Sequence, residues 1–276
     1  MKLLLILLTL INPDLKEDRI VINKTYDIPN AEKMLVMIHN MNGDVTVEAT
    51  EGNQVSLDLT IEISASSDDL IDQAKRDLKL GEYIKNDSLV LYMKAPFMRR
   101  CDGQQFWGYN MNDGPDYSFK YQYKLKVPKK IAIHAKTVNN GDVLVRNMEG
   151  KVMVSNVNGD IEVENVHDLR RASTVNGDVD ITFVKAPQMP VKFHTVNGDF
   201  TFELPDDFNA QVYFDSMNGD LYTAFDYKRM SPKVEKSERN GTFKIGTKTG
   251  VEIGSGGPEL SFKSINGNVY LKKKKS

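Results

Sequence analysis

The chain has 276 residues, 40% apolar and 27% charged, and its 36 Lys+Arg against 38 Asp+Glu leave a formal net charge of −2. That length suits one elongated domain or two small ones with ample core, and the charge balance gives no overall field toward nucleic acid or an anionic membrane. Cys101 is the single cysteine and the four histidines (His39, His134, His167, His194) form no i, i+4 pair, which excludes an internal disulfide and a multi-cysteine zinc site.

Met1-Lys2 is followed by Leu3 to Ile11, apolar except for Thr9. The run is too short for a membrane-spanning helix of about 20 residues, but it fits the first two regions of an export leader. Asn12-Pro13-Asp14-Leu15-Lys16 supplies no small-x-small cleavage site. Residues 1–19 are read as a candidate leader, with a buried first strand as the alternative. Export would place the protein in the periplasm or at the cell surface, with no transmembrane span.

Val55 to Ile63 alternates apolar and polar residues as a half-buried strand does. Ser66-Ser67-Asp68-Asp69 then offers helix caps and first-turn acids, and Leu70, Ile71, Ala74 and Leu78 share one helical face. Leu89 to Met93 and Tyr117 to Val127 are further strands, the second ending at Pro128. Between them runs a long loop rich in Gly, acids and aromatics, with Phe106, Trp107 and Tyr109 at its centre. Exposed aromatics of this kind contact a sugar or a partner protein; the structural alternative is a plug over the open end of a repeat stack.

The organising feature is a repeat. Asn-Gly-Asp occurs at Asn42-Gly43, Asn140-Gly141, Asn158-Gly159, Asn176-Gly177, Asn197-Gly198 and Asn218-Gly219, and Asn266-Gly267-Asn268 is a variant. From Asn140 the steps are 18, 18, 21 and 21 residues, then 48 to Asn266, a gap in which Asn240-Gly241-Thr242-Phe243 reads as a degraded copy. Six positions before the turn Asn (Asn139 in the copy with an extra Asn) stand Val36, Ile133, Val152, Arg170, Val191, Val212 and Leu260. Only Arg170 breaks that set. Two positions before it stand Asn40, Thr137, Asn156, Thr174, Thr195, Ser216 and Ser264, which predict a polar ladder bonded side chain to side chain in stacked coils.

Each unit holds two short strands and two turns, with Asn-Gly at the turn because tight turns need residues that tolerate positive φ. A unit this small cannot bury its own apolar face, so neighbours must stack on it. The fold class expected is all-β: a β-solenoid of 18–21-residue two-strand coils, favoured over an antiparallel meander, plus one short helix. One domain over residues 20–272 is expected, irregular over 50–128, regular over 129–225 and degenerate over 226–272. A frayed basic tail, 273–276, ends it.

The recurrent Val-Asn-Gly-Asp-Val-x-Val unit, preceded by Tyr123-Lys124-Leu125-Lys126-Val127-Pro128, resembles the bacterial "putative adhesin" domain of unknown function, of the head-GIN type. The resemblance spans roughly Ile20 to Leu271. It implies a stacked β-fold, frequent export or membrane association, and no established catalytic residues.

Asp142, Asp160, Asp178, Asp199 and Asp220, which follow the turn glycines, are the sharpest candidates for chemistry. In stacked coils they would stand about 4.8 Å apart and repel by roughly 1 kcal/mol per pair in water. A calcium ion would relieve that repulsion; the alternative is a bond from each Asp to amides of its own turn. No cofactor is otherwise expected. Glu162, Asp178 and Asp180 are the carboxylates that a polysaccharide-active enzyme on this scaffold would use, but no catalytic motif accompanies them. The favoured reading is a non-catalytic cell-envelope protein that binds a protein or glycan. A purely structural envelope component is the first alternative and the enzyme the second. Nucleic acid is not an expected partner.

Overall fold

The repeated units stack as coils of two strands, and the computed structural model describes this over residues 15–99, 108–109, 114–239 and 242–274. The candidate leader up to residue 14, Cys101, Phe106, Trp107 and Asn240-Gly241 lie outside the described residues. The N-terminal strands are β1 (Lys16–Asp27), β2 (Leu35–His39), β3 (Val45–Thr50), β4 (Gln54–Ala65), β5 (Lys79–Lys85), β6 (Ser88–Lys94), β7 (Met98–Arg99), β8 (Gly108–Tyr109) and β9 (Ser118–Pro128). The regular coils supply β10 (Ala132–Lys136), β11 (Val143–Arg146), β12 (Lys151–Ser155), β13 (Ile161–Val166), β14 (Asp168–Ser173), β15 (Val179–Phe183), β16 (Val191–His194), β17 (Phe200–Leu204), β18 (Ala210–Asp215) and β19 (Leu221–Thr223). The chain ends with β20 (Tyr227–Arg229), β21 (Lys233–Arg239), β22 (Thr242–Lys248), β23 (Gly250–Ile253), β24 (Glu259–Lys263) and β25 (Val269–Lys273).

Among the described residues two large sheets face each other. One runs β1-β4-β9-β3-β11-β13-β15-β17-β25-β19 and the other β20-β23-β18-β24-β16-β14-β12-β10-β2-β6-β5. Within the stack equivalent strands pair in parallel, as Val143↔Ile161 and Ile161↔Val179 do. This is the solenoid and not the meander. Inward positions are the apolar ones at the predicted spacing: Val36, Ile133, Val152, Val191, Val212 and Leu260 are all buried.

Arg170 breaks the apolar set because β14 carries a bulge. Leu169 pairs with Val152 and Arg171 with Met153, so Arg170 is the extra residue. Leu169 takes the core position, and Arg170 turns outward to pair with Asp168 at 2.5 Å.

Two features depart from chain order. The 98-residue gap after Asn42 is an excursion that returns to its starting point: β2 and β3 stack directly on β10 and β11. Their other side is covered by β6 and β9, then by antiparallel β5, β4 and β1. At the far end, the coil of β24 and β25 inserts between the coil of β16 and β17 and that of β18 and β19. The segment read as a degraded copy is instead an antiparallel hairpin of β21 and β22. Lys273, read as the start of a frayed tail, lies in β25, and the Lys274 amide donates to the Leu204 carbonyl at 2.7 Å. Residues 16–19, assigned to the leader, belong to β1 and pair with β4.

The inserted coil completes an aromatic core. Phe262 stacks on Phe193 with centroids 4.7 Å apart, and Phe202 meets the two edge-on at 4.7 and 5.1 Å. The predicted helix forms as α1 (Asp68–Asp77): the Ser67 hydroxyl caps it by accepting the Leu70 amide, while Ile71 and Ala74 are buried.

Candidate functional site

The turn edge of the solenoid carries two polar rows, an unforeseen one of asparagines and the expected one of aspartates, bonded otherwise than expected. The first is an asparagine ladder. Each amide donates to the carbonyl oxygen of the next, from Asn140 to Asn42, Asn158 to Asn139, Asn176 to Asn158, Asn197 to Asn176, Asn266 to Asn197 and Asn218 to Asn266, at 2.7–2.8 Å. The extra Asn of the second copy joins the row, because Asn140 reaches one neighbour and Asn139 the other.

The second row is the aspartates. Each carboxylate accepts the backbone amide of the equivalent residue one coil on. Asp44 takes Asp142 N–H at 2.9 Å, and Asp142, Asp160 and Asp178 take those of Asp160, Asp178 and Asp199 at 2.8 Å. Asp199 then accepts from Asn268, and Asn268 from Asp220. The bonds run between coils and not within each turn. At the near end Gln122 accepts the Asp44 amide, so an uncharged amide oxygen serves at two rungs. A carbonyl-type acceptor is what the rung needs; the negative charge is incidental. Asp178→Ala should therefore cost about 1–2 kcal/mol by stranding the Asp199 amide, and Asp178→Asn no more than about 0.5 kcal/mol, read from urea-unfolding midpoints.

The residues two before each turn are buried, as Thr137, Asn156 and Thr174 show, except the half-buried Ser216. They do not bond to one another. Thr137 Oγ1 donates to the Gly43 carbonyl at 2.8 Å, Asn156 Nδ2 to that of Gly141 at 2.9 Å and Thr174 Oγ1 to that of Gly159 at 3.0 Å. In these three coils a short polar side chain inside the corner satisfies the turn carbonyl of the coil below, whereas the hydroxyls of Thr195, Ser216 and Ser264 make no hydrogen bond among the described residues. The turn glycines answer the same crowding: a Cβ on Gly141, Gly219 or Gly267 would meet neighbouring backbone at about 2 Å. Of the turn asparagines, only Asn140 has positive φ, at 52°.

Beside the first of these turns opens a groove of about 1220 Å³. Met41, Ile63, Met93, Tyr117 and Phe119 give it apolar lining, with Glu17, Asp18, Arg19, Glu62 and Lys120 among its charged residues. Asn42, Asn139 and Asn140 bring the start of the asparagine ladder into it. Asn42 Nδ2 also donates to the Phe119 carbonyl, fixing β9 against the turn. Phe119 packs between the rings of Phe97 and Tyr117, with centroids at 5.6 and 6.4 Å. The half-buried row Val138, Val157, Val175 and Val196 continues from Met41 along the same edge. Sequence alone did not disclose the groove, because its walls come from β1, β4, β9 and the turns, far apart in the chain.

Of the aromatics expected to bind, Phe106 and Trp107 lie outside the described residues, and Tyr109 is placed only as the end of β8, paired with Met98. Glu162 and Asp180 do come together as cross-strand partners on an outer face. Glu162 has its pKa raised, first by a hydrogen bond with Glu164; that of Asp180 is raised, first by burial. Neither lines the groove. Among the described residues no three His, Cys, Asp or Glu side chains converge as a metal site would require. Among the described residues no helix is long and apolar enough to cross a membrane.

Stacked parallel coils with a corner ladder define a β-solenoid repeat protein. Residues 130–250 match the family model of the Toastrack domain, DUF4097, a domain of unknown function. A "putative cell adhesion protein" from Clostridium sporogenes is similar in structure, at 13% identity over 94% of this chain and 100% of that one, with a TM-score of 0.46. A "putative adhesin" from Bacteroides fragilis shares 10% identity over 92% and 96% of the two chains, with a TM-score of 0.31. A "putative lipid binding protein" from Parabacteroides distasonis shares 12% over 91% and 97%, with a TM-score of 0.27. No curated protein matches the chain.

Proposed function

We propose that this protein is a non-catalytic binding module of the cell envelope, and that the groove beside Asn42 is where it holds a protein or glycan. The groove carries the reading: an apolar lining with charged and amide groups around it offers both burial and orientation to a ligand. The loop bearing Phe106, Trp107 and Tyr109 lies in the sequence between Met98 and Tyr117, close in the chain to the groove residues Tyr117, Ser118 and Phe119. Its aromatics are the proposed second half of the contact.

The aspartate row is proposed to hold no resident metal, since its carboxylates already accept amides from coil to coil. A melting temperature equal in excess calcium and in chelator is expected, and a rise with calcium would show the row to be a metal site. The function itself is tested by protease treatment of intact cells beside a lysed control, followed by glycan and protein arrays. Cleavage on intact cells, and array binding that Trp107→Ala abolishes while sparing the melting temperature, are the expected results. Protection until lysis, or equal loss of binding and stability, would point to an internal or purely structural role.

A further inference from the structure

The outer face of the second sheet is basic, although the chain as a whole is slightly acidic. Two outward rows cross β10, β12, β14, β16 and β24. One aligns Lys136, Ser155, Ser173, His194 and Lys263, and the other His134, Met153, Arg171, Lys192 and Ser261. Arg171, Lys192 and Lys263 are exposed. Asp215 stands beside Lys263 at the end of its row and Asp168 is held by Arg170, while the cross-strand partners of Arg171 and Lys192 include no carboxylate.

The middle of this face is a shallow seat. Ser155 and Ser173 place their hydroxyls 3.2 Å apart. Their mutual bond uses one of the two hydroxyl protons and leaves the other to donate outward. Longer cationic or imidazole side chains stand on the flanking strands: Lys136 and His134 on one side, His194 and Lys192 on the other, with Arg171 beside Ser173. The histidines register the field. Burial comes first in lowering the pKa of His134 and His194, and next come the charges of Lys136 and Lys263 respectively, with Arg171 acting on both.

We propose that this face binds a linear acidic polysaccharide along the solenoid axis, seating one carboxylate or sulfate over the Ser155–Ser173 pair between Lys136 and Arg171. Four rung steps from β10 to β24, at about 4.8 Å each, give a track about 19 Å long. Such widely spaced cations suit a polymer of moderate charge density. A nucleic acid, with a charge every ~1.7 Å of duplex, needs a denser array, and the two rows hold no Phe, Tyr or Trp on which a base could stack. A membrane surface is disfavoured because the large exposed apolar side chains lie elsewhere on the molecule, as Val21, Ile84 and Met217 do.

The test uses the full chain and alginate, with neutral dextran, duplex DNA and phosphatidylglycerol vesicles as competing probes. Alginate binding that weakens as salt rises is expected, falling at least tenfold in Arg171→Gln and further in Arg171→Gln/Lys192→Gln. Glu164→Gln on the opposite sheet and Trp107→Ala should both leave it unchanged, which separates this site from the groove. Circular dichroism and the melting temperature establish that each variant is folded. Absence of alginate binding, equal binding by the folded double variant, or tighter binding to vesicles or DNA than to alginate would overturn the proposal.

Discussion

Deleting residues 254–276 is expected to unfold the whole C-terminal third of the solenoid, not just its last coil. The deleted segment contains β24 and β25, the rung on which both the preceding and the terminal coils rest. Without it Phe193 and Phe202 lose the Phe262 ring packed against them, and β18 and β19 lose their parallel partner. Phe262→Ala alone should cost about 3–5 kcal/mol, as large-to-small changes at buried aromatics do. The deletion should cost more and make residues 205–253 sensitive to protease. A truncated chain that melts like the full one and resists cleavage there would show that the last coil is terminal in space as well as in sequence.

Gly177→Ala is expected to destabilise the protein by about 3–4 kcal/mol, a large effect for one methyl group. The new Cβ would stand 2.1 Å from the Gly159 carbonyl oxygen, and φ at this residue is +155°. Both atoms that must separate are tied to backbone, and the coils on each side are fixed by the ladders, so the clash cannot be relieved locally. Gly52→Ala is the control: φ is +111° with nothing within 4 Å of the added Cβ, so only backbone strain of about 1–2 kcal/mol is expected. Equal effects of the two, in urea midpoints, would mean that the turn glycines serve conformation and not close approach.

Much of the architecture was legible because the repeat carries its own frame. The positions six before each turn Asn predicted the inward residues, Arg170 apart, and the bridge between Asn42 and Asn139 confirms the register chosen for the copy with an extra Asn. Ser67, Ile71 and Ala74 similarly announced α1. Placement along the stack was not legible. Nothing local to Leu260 or Val269 says that they pack against Val191 and Phe200 before Val212 and Leu221 do. The Arg170 anomaly needed the bulge, and the polar corner residues needed the carbonyl they face, before either made sense.

The two candidate surfaces were hidden for the same physical reason. A parallel solenoid gathers one or two side chains from each coil onto a shared face, so the basic track is assembled from Lys136, Arg171, Lys192 and Lys263 without any run of like charge in the chain. The net charge of −2 masks it. The groove beside Asn42 draws on strands separated by about a hundred residues, and only the return of the chain after its N-terminal excursion brings them together.

The most direct test of this architecture is disulfide trapping in a Cys101→Ser background. Thr201 is the cross-strand partner of Tyr270, and Tyr270 that of Tyr222. The interposed coil predicts that Thr201→Cys/Tyr270→Cys closes a disulfide under mild oxidation, while Thr201→Cys/Tyr222→Cys, two rungs apart, does not. Closure of the second pair and not the first would contradict the account and restore a stack that follows the order of the chain.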